Sequence, residues 1–187
     1  MQQCQTKSVI LVLGGVRSGK SHHAQQLAEA WDRVTFVATA EHRDDAEMRA
    51  KIECHRAGRP LHWKTIEEPL QLYLAIAQAS PDSDAVLVDC LTLFAANLLE
   101  ANAGNPRAQG VAIDRFCEAL TAAPCTVILV SNEVGSGVVP AYASGRRFRD
   151  LVGELNQRIA ALADTVLLMV AGLPLTVKSP VFTEVPR

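Results

Sequence analysis

Residues Gly14-Gly15-Val16-Arg17-Ser18-Gly19-Lys20-Ser21 satisfy the pattern G-x-x-x-x-G-K-[ST], and no other run limits the possible folds so tightly. The pattern needs an apolar strand before it and a helix after it. Val9 to Leu13 supplies the strand, and a helix is expected from near Lys20. Glycines let the backbone turn sharply so that successive N–H groups point inward, and the helix N-terminus adds a partial positive charge. Such a cradle suits the phosphates of ATP or GTP, with Lys20 against the β- and γ-phosphates and Ser21 as a ligand for Mg²⁺. An ordinary strand-to-helix turn would need neither the lysine nor the hydroxyl at these adjacent positions.

Apolar runs rich in Val, Ile and Leu recur at Ser8 to Leu13, Val34 to Thr39, Ala85 to Cys90, Thr126 to Ser131 and Thr165 to Ala171. They are almost continuously apolar rather than alternating, so they predict strands covered on both faces. Helical patterns lie between them, giving an α/β chain with a mostly parallel sheet: a three-layer P-loop NTPase of RecA-like kind. Phe148, Leu151, Val152, Leu155, Ile159 and Leu162 fall at spacings of three and four and predict one buried helix face. A second helix is expected over Asp44 to Ala57, where Asp45 with Arg49 and Glu47 with Lys51 are i,i+4 pairs and Gly58 and Pro60 stop it. Gly172-Leu173-Pro174 predicts a turn into an antiparallel edge strand at Leu175 to Lys178. Ala101 to Gln109, polar and containing Gly104 and Pro106, predicts a surface connection between helices.

The 187 residues, about half of them apolar, suit one domain, with a core over about 8–178 and a loose tail at 179–187. A formal net charge of -2 gives no bias toward nucleic acid or an anionic membrane. The five cysteines are scattered, with no C-x-x-C pair, so reduced thiols in a cytoplasmic protein are expected. Val9 to Leu13 is too short to span a bilayer, and Met1 to Lys7 has no signal-peptide pattern.

Asp89 ends the run Val86-Leu87-Val88, where an acid can hold the metal or cap the next helix. Several further segments join the phosphate loop in sequence order. These are Ala38-Thr39-Ala40, His55-Arg56-Ala57-Gly58-Arg59-Pro60 with Trp63, Val88-Asp89-Cys90-Leu91-Thr92, Ser131-Asn132-Glu133-Val134-Gly135 and Arg147-Phe148-Arg149-Asp150. Together, over about Val9 to Lys178, they resemble the bifunctional adenosylcobinamide kinase / adenosylcobinamide-phosphate guanylyltransferases of cobalamin biosynthesis. The resemblance implies phosphorylation of adenosylcobinamide from ATP or GTP. Transfer of GMP from GTP to that phosphate follows, through a guanylylated histidine. It also implies Mg²⁺ dependence, a corrinoid partner and a homo-oligomer, typically a trimer.

The histidine matching the family's nucleophile is His55, followed by Arg56-Ala57-Gly58-Arg59 along the bound GTP. A neutral imidazole can attack the α-phosphorus, turning one hard displacement into two easier ones. His55 shares a helix side with Ile52 and Met48, yet a helix C-terminus favours the protonated, non-nucleophilic ring. Read without the resemblance, it is a surface or capping histidine. His22, His23, His42 and His62 are the competing histidines, and Cys54 reads as a small neutral residue. Glu67 matches a family glutamate that contacts GTP. Asp89 stands at another such position, so metal and nucleotide are both open roles for it. Arg17 and Arg59 are candidates for phosphate oxygens, which fit a guanidinium fork, though Arg59 also suits solvent-exposed pairing. Asn132 to Gly137 either contacts the corrinoid or only turns the chain. The rival functions are a generic small-molecule kinase with a structural His55, and a nucleotide-dependent switch.

Overall fold

The computed structural model describes residues 7–40, 59–103 and 105–180. Among these residues seven strands form one sheet: β1 (Val9–Gly14), β2 (Val34–Ala38), β3 (Lys64–Glu67), β4 (Ala85–Asp89), β5 (Thr126–Asn132), β6 (Thr165–Val170) and β7 (Leu173–Lys178). Their order is β3-β2-β4-β5-β1-β6-β7, parallel throughout except for the antiparallel pair β6 and β7. The interiors of β2, β4 and β5 are buried on both sides, which is why their sequences do not alternate.

Five helices accompany the sheet among the described residues: α1 (Lys20–Ala28), α2 (Leu72–Ala79), α3 (Leu91–Ala101), α4 (Pro106–Ala122) and α5 (Ala143–Leu162). On one face Ala24 and Ala28 of α1 pack with Val12, Phe36, Leu87 and Ile128. On the other face the apolar stripes of α2 to α5 cover Leu11, Val37, Val88 and Leu129. Phe94 of α3 and Phe116 of α4 meet there with ring centroids 5.7 Å apart. Truncating either ring to Ala leaves a cavity costing about 3–5 kcal/mol. At the end of α5, Lys178 Nζ donates to the carbonyls of Ala160 and Ala161, 3.0 Å each, and so caps the last turn.

Four sequence expectations need correction or addition. The strand β3 is an addition: Lys-Thr-Ile-Glu carries little apolar signal because it is a mostly exposed edge strand, held by pairing with β2. The hairpin turn is Ala171-Gly172, with φ of 52° and 84°, not Gly172-Leu173-Pro174. Both turn residues have the positive φ that suits strand twist in a two-residue hairpin, and Pro174 lies in the edge strand itself. Residues 106–109 form the first turn of α4 rather than a connection, because Pro106 suits a helix start and the Asn105 side chain accepts from the Ala108 N–H. Leu162, expected on the buried stripe of α5, is 41% exposed as the last residue of that helix. The helix expected at Asp44 to Ala57 lies outside the described residues.

Candidate nucleotide site

The phosphate loop leaves β1 at Gly14 and enters α1 at Lys20. Arg17 and Gly19 sit at φ 57° and 90°, in the left-handed region. Glycine takes that conformation freely, whereas an arginine holds it at a cost of order 1–3 kcal/mol, which the rest of the loop must sustain. Gly14 is required by close approach: a Cβ there would collide with Ser18 Oγ and stand 3.0 Å from the Met169 carbonyl. Ser18 N–H donates to Gly15 O (3.3 Å), and Gly172 N–H of the β6–β7 turn donates to Ser18 O (3.0 Å). The hairpin turn therefore braces the loop from behind, a contact between segments about 150 residues apart that no local pattern announces.

Lys20 Nζ donates to Gly15 O at 3.1 Å, folding the ammonium over the loop's own mouth. Val16 projects outward, 84% exposed, and the first turn of α1 holds no acidic residue to neutralise its positive end. Ser21, half-buried, is the second residue of α1. Of the competing histidines, His22 is exposed and His23 half-buried on α1, and His62 is exposed.

Three predicted residues fall in one row. Glu67 of β3 and Asp89 of β4 both pair in register with Ala38 of β2, at the carboxyl ends of their strands. In-register residues of neighbouring strands point to the same face. Phe36 and Leu87, two residues earlier, belong to the α1 side, so Glu67, Ala38 and Asp89 face that side too. The sheet thus places the acid of β4 on the face of the helix that carries Lys20 and Ser21, one strand removed from β1.

Thr39 and Arg59 are engaged within the protein. The buried Thr39 hydroxyl donates to Cys90 O (2.8 Å) and accepts from Cys90 N–H (2.9 Å), which ties β2 to the segment after Asp89. Asn97 Nδ2 donates to Thr39 O (2.9 Å) and Pro69 O (3.1 Å), while Asn132 N–H donates to Thr92 Oγ1 (2.8 Å). Helix α3 therefore lies across the carboxyl edge from β5 to β2. The Arg59 guanidinium stacks 3.8 Å from the centroid of Phe36, and its Nη1 donates to Thr65 Oγ1 at 3.3 Å. Burial, and after it the charge of Asp89, pushes the Cys90 thiol up to about 11, so it is a neutral thiol rather than a nucleophile. His42, Cys54, His55, Arg56, Ala57 and Gly58 lie outside the described residues.

Four buried side-chain oxygens have no hydrogen-bond partner among the described residues: Ser18 Oγ, Ser131 Oγ, Asn132 Oδ1 and Asn156 Oδ1. All lie at the carboxyl edge beside the loop. Glu133 N–H donates to Gly14 O (3.1 Å), and Asn156 Nδ2 to Asn132 O (3.0 Å). The end of β5 therefore touches the phosphate loop on one side and α5 on the other.

A family model described as "Cobinamide kinase / cobinamide phosphate guanyltransferase" matches residues 10–177. The chain is 44% identical over 182 residues to the bifunctional adenosylcobalamin biosynthesis protein CobU of Salmonella typhimurium, spanning 91% of this chain and 99% of that protein. It is 41% identical over 181 residues to the protein of the same description from Escherichia coli, again 91% of this chain and 99% of the relative. Among solved structures, an ATPase from the type III secretion system of pathogenic bacteria superposes with a TM-score of 0.57 at 11% identity. That match covers 88% of this chain and 52% of the ATPase and speaks to the fold alone.

Proposed function

Because the chain belongs to the cobinamide kinase / cobinamide phosphate guanyltransferase family, we propose that it carries out both reactions at the phosphate loop, as one nucleotide-binding domain. The observation that carries this reading is the placement of the loop on the same sheet face as the row Glu67, Ala38, Asp89. In the kinase step the hydroxyl oxygen of the aminopropanol arm attacks the γ-phosphorus of ATP or GTP. The bond to the leaving diphosphate breaks, and the hydroxyl proton passes to solvent. Amides of residues 14–21, the Lys20 ammonium and Arg17 hold the triphosphate, and the backbone of Ala38 to Ala40 flanks it.

Ser21 and Asp89 supply a hydroxyl and a carboxylate, oxygen donors that fit Mg²⁺ shared with the phosphates. When bound, the ion neutralises charge on the phosphate oxygens.

In the second step an imidazole nitrogen of His55 attacks the α-phosphorus of GTP and pyrophosphate leaves. A phosphate oxygen of adenosylcobinamide phosphate then attacks that phosphorus, the imidazole departs, and adenosylcobinamide-GDP forms. Arg56 to Arg59 line the nucleotide in this reading, and Glu67 accepts from guanine N–H groups, a contact adenine cannot make at the same positions. Arg59 serves it by leaving its stack on Phe36. Assembly as a homotrimer, which sedimentation of the purified chain would check, belongs to the same reading.

Incubation with GTP labelled at the α-phosphorus tests the covalent step. The expected result is an acid-labile, base-stable GMP adduct that is absent from His55→Ala. A chain that phosphorylates cobinamide yet forms no adduct, or keeps the adduct in His55→Ala, would be a kinase with a structural His55.

A further inference from the structure

A cleft of about 880 Å³ opens between α3, the start of α4 and the first half of α5. Its position follows from three contacts. Helix α3 lies across the carboxyl edge, Asn156 of α5 is tied to Asn132 at the end of β5, and Arg149 Nη2 donates to Gly135 O (2.6 Å) in the loop beyond it. The cleft therefore stands past the strand ends, on the side of the sheet opposite α1. The end of β5, to which α3 and α5 are both tied, is the strand next to β1 and its phosphate loop.

The walls do not suit a second nucleotide. Ala96, Leu99, Phe148 and Leu151 give an apolar floor, while the ionisable groups at the rim are Glu100, Asp150, Glu154 and Arg147. Among the described residues the exposed carboxylates of Asp150 and Glu154 outnumber the Arg147 guanidinium, a balance that disfavours a triphosphate and suits a neutral or cationic ligand rich in N–H donors. The volume falls within the range that encloses small molecules and cofactors. A cobalt corrin has this chemistry: a broad apolar macrocycle, a rim of primary amides and, with one alkyl ligand, a net positive charge.

We propose that this cleft seats the corrinoid acceptor, with its macrocycle against Phe148 and Leu99 and its amides on the rim carboxylates. The aminopropanol arm then crosses the end of β5 to reach the phosphates. The proposal rests on the kinase and guanylyltransferase reading above, and it gives the segment Arg147-Phe148-Arg149-Asp150 a role in holding the acceptor.

Two variants test it. Ala103→Trp places a bulky ring at an exposed cleft position, and Asp150→Asn with Glu154→Gln removes two exposed rim charges without removing bulk. Steady-state kinetics with adenosylcobinamide and GTP, plus equilibrium dialysis of cobinamide followed by its visible absorbance, are the readouts. The expected result is a KM for adenosylcobinamide raised about tenfold or more in both, with the KM for GTP within about twofold of the parent. A corrinoid KM within about twofold of the parent in both variants overturns the placement while leaving the functional reading intact. The placement is likewise overturned if Ala103→Trp changes the oligomeric state and not the corrinoid KM, which would assign the cleft to a contact between copies. A parent chain that neither binds nor phosphorylates cobinamide overturns the functional reading itself, and the cleft assignment with it.

Discussion

The two ends of the sheet treat polar groups in opposite ways. At the amino end they are matched. Val9 N–H donates to Asp164 Oδ2 (2.8 Å), and Arg33 pairs with Asp84 through two guanidinium nitrogens. The buried Ser83 hydroxyl donates to Ala79 O (2.8 Å), which leaves it to accept from Thr35 Oγ1, also at 2.8 Å. At the carboxyl end some are left open. All four unpartnered buried polar atoms among the described residues collect around the end of β5 and the phosphate loop. A fold that satisfies its buried polar groups nearly everywhere and leaves them open in one place marks where something else binds. The amino end holds the chain together, and the carboxyl end is built to interact.

The largest expected effect tests the carboxyl end. Lys20→Ala removes the ammonium folded over the loop mouth and should lower turnover at both steps by about 10²-fold or more. The Tm should stay within about 2 °C, because the hydrogen bond of Lys20 is to its own loop and ties no other element in place. Equal loss of activity and of Tm would mean that the loop is a structural turn, and the contrast between the two ends would fail.

Much of this arrangement was legible because it is local. The loop motif, the strand before it and the stripe on α5 each depend on residues within two or three turns of one another. Asp89 could be placed at a strand end for the same reason. What could not be read is non-local. Nothing in Lys64-Thr65-Ile66-Glu67 shows that it pairs with β2, and that pairing is what aligns Glu67 with Ala38 and Asp89. Ala171 at φ 52° defies its own propensity because the hairpin twist and the docking of Gly172 on Ser18 decide the matter. The cleft is assembled from α3 and α5, which contacts of Thr92 and Asn156 with Asn132 bring to the end of β5, and from the start of α4, where Gln109 Nε2 donates to Asn102 O (3.2 Å) just past α3.

A matched pair of serine variants sharpens the contrast. Ser83 is 7% exposed and uses its hydroxyl twice, so Ser83→Ala strands the buried Thr35 hydroxyl and takes a donor from the Ala79 carbonyl. The expected loss is about 1–3 kcal/mol in urea unfolding, with KM and kcat unchanged. Ser131 is fully buried and its hydroxyl has no partner among the described residues, so Ser131→Ala deletes a desolvated group without breaking a bond. Stability should be unchanged or higher by up to about 1 kcal/mol. If both serines cost the same, the carboxyl-end hydroxyl is satisfied in solution after all.

The smallest effect lies at the amino end and is best read through pH. The Arg33 side chain, hydrogen-bonded to Asp84, holds that carboxyl below its ordinary value against the opposing effect of burial. A carboxylate whose folded pKa is depressed adds stability above its unfolded pKa of about 3.9. That stability disappears as pH falls through the lower folded value. Asp84→Asn should therefore lower the Tm slightly at neutral pH, by about 2 °C or less, since the pair is solvent-exposed and Asn can still accept from the Arg33 backbone N–H. The gap between parent and variant should hold down to about pH 5 and shrink as pH falls below the unfolded value of about 3.9. Added salt should shrink it at neutral pH, because an exposed pair is screened. A gap that is flat across this range, or that widens in acid, would show that charge pairing with Arg33 is not what secures the amino end.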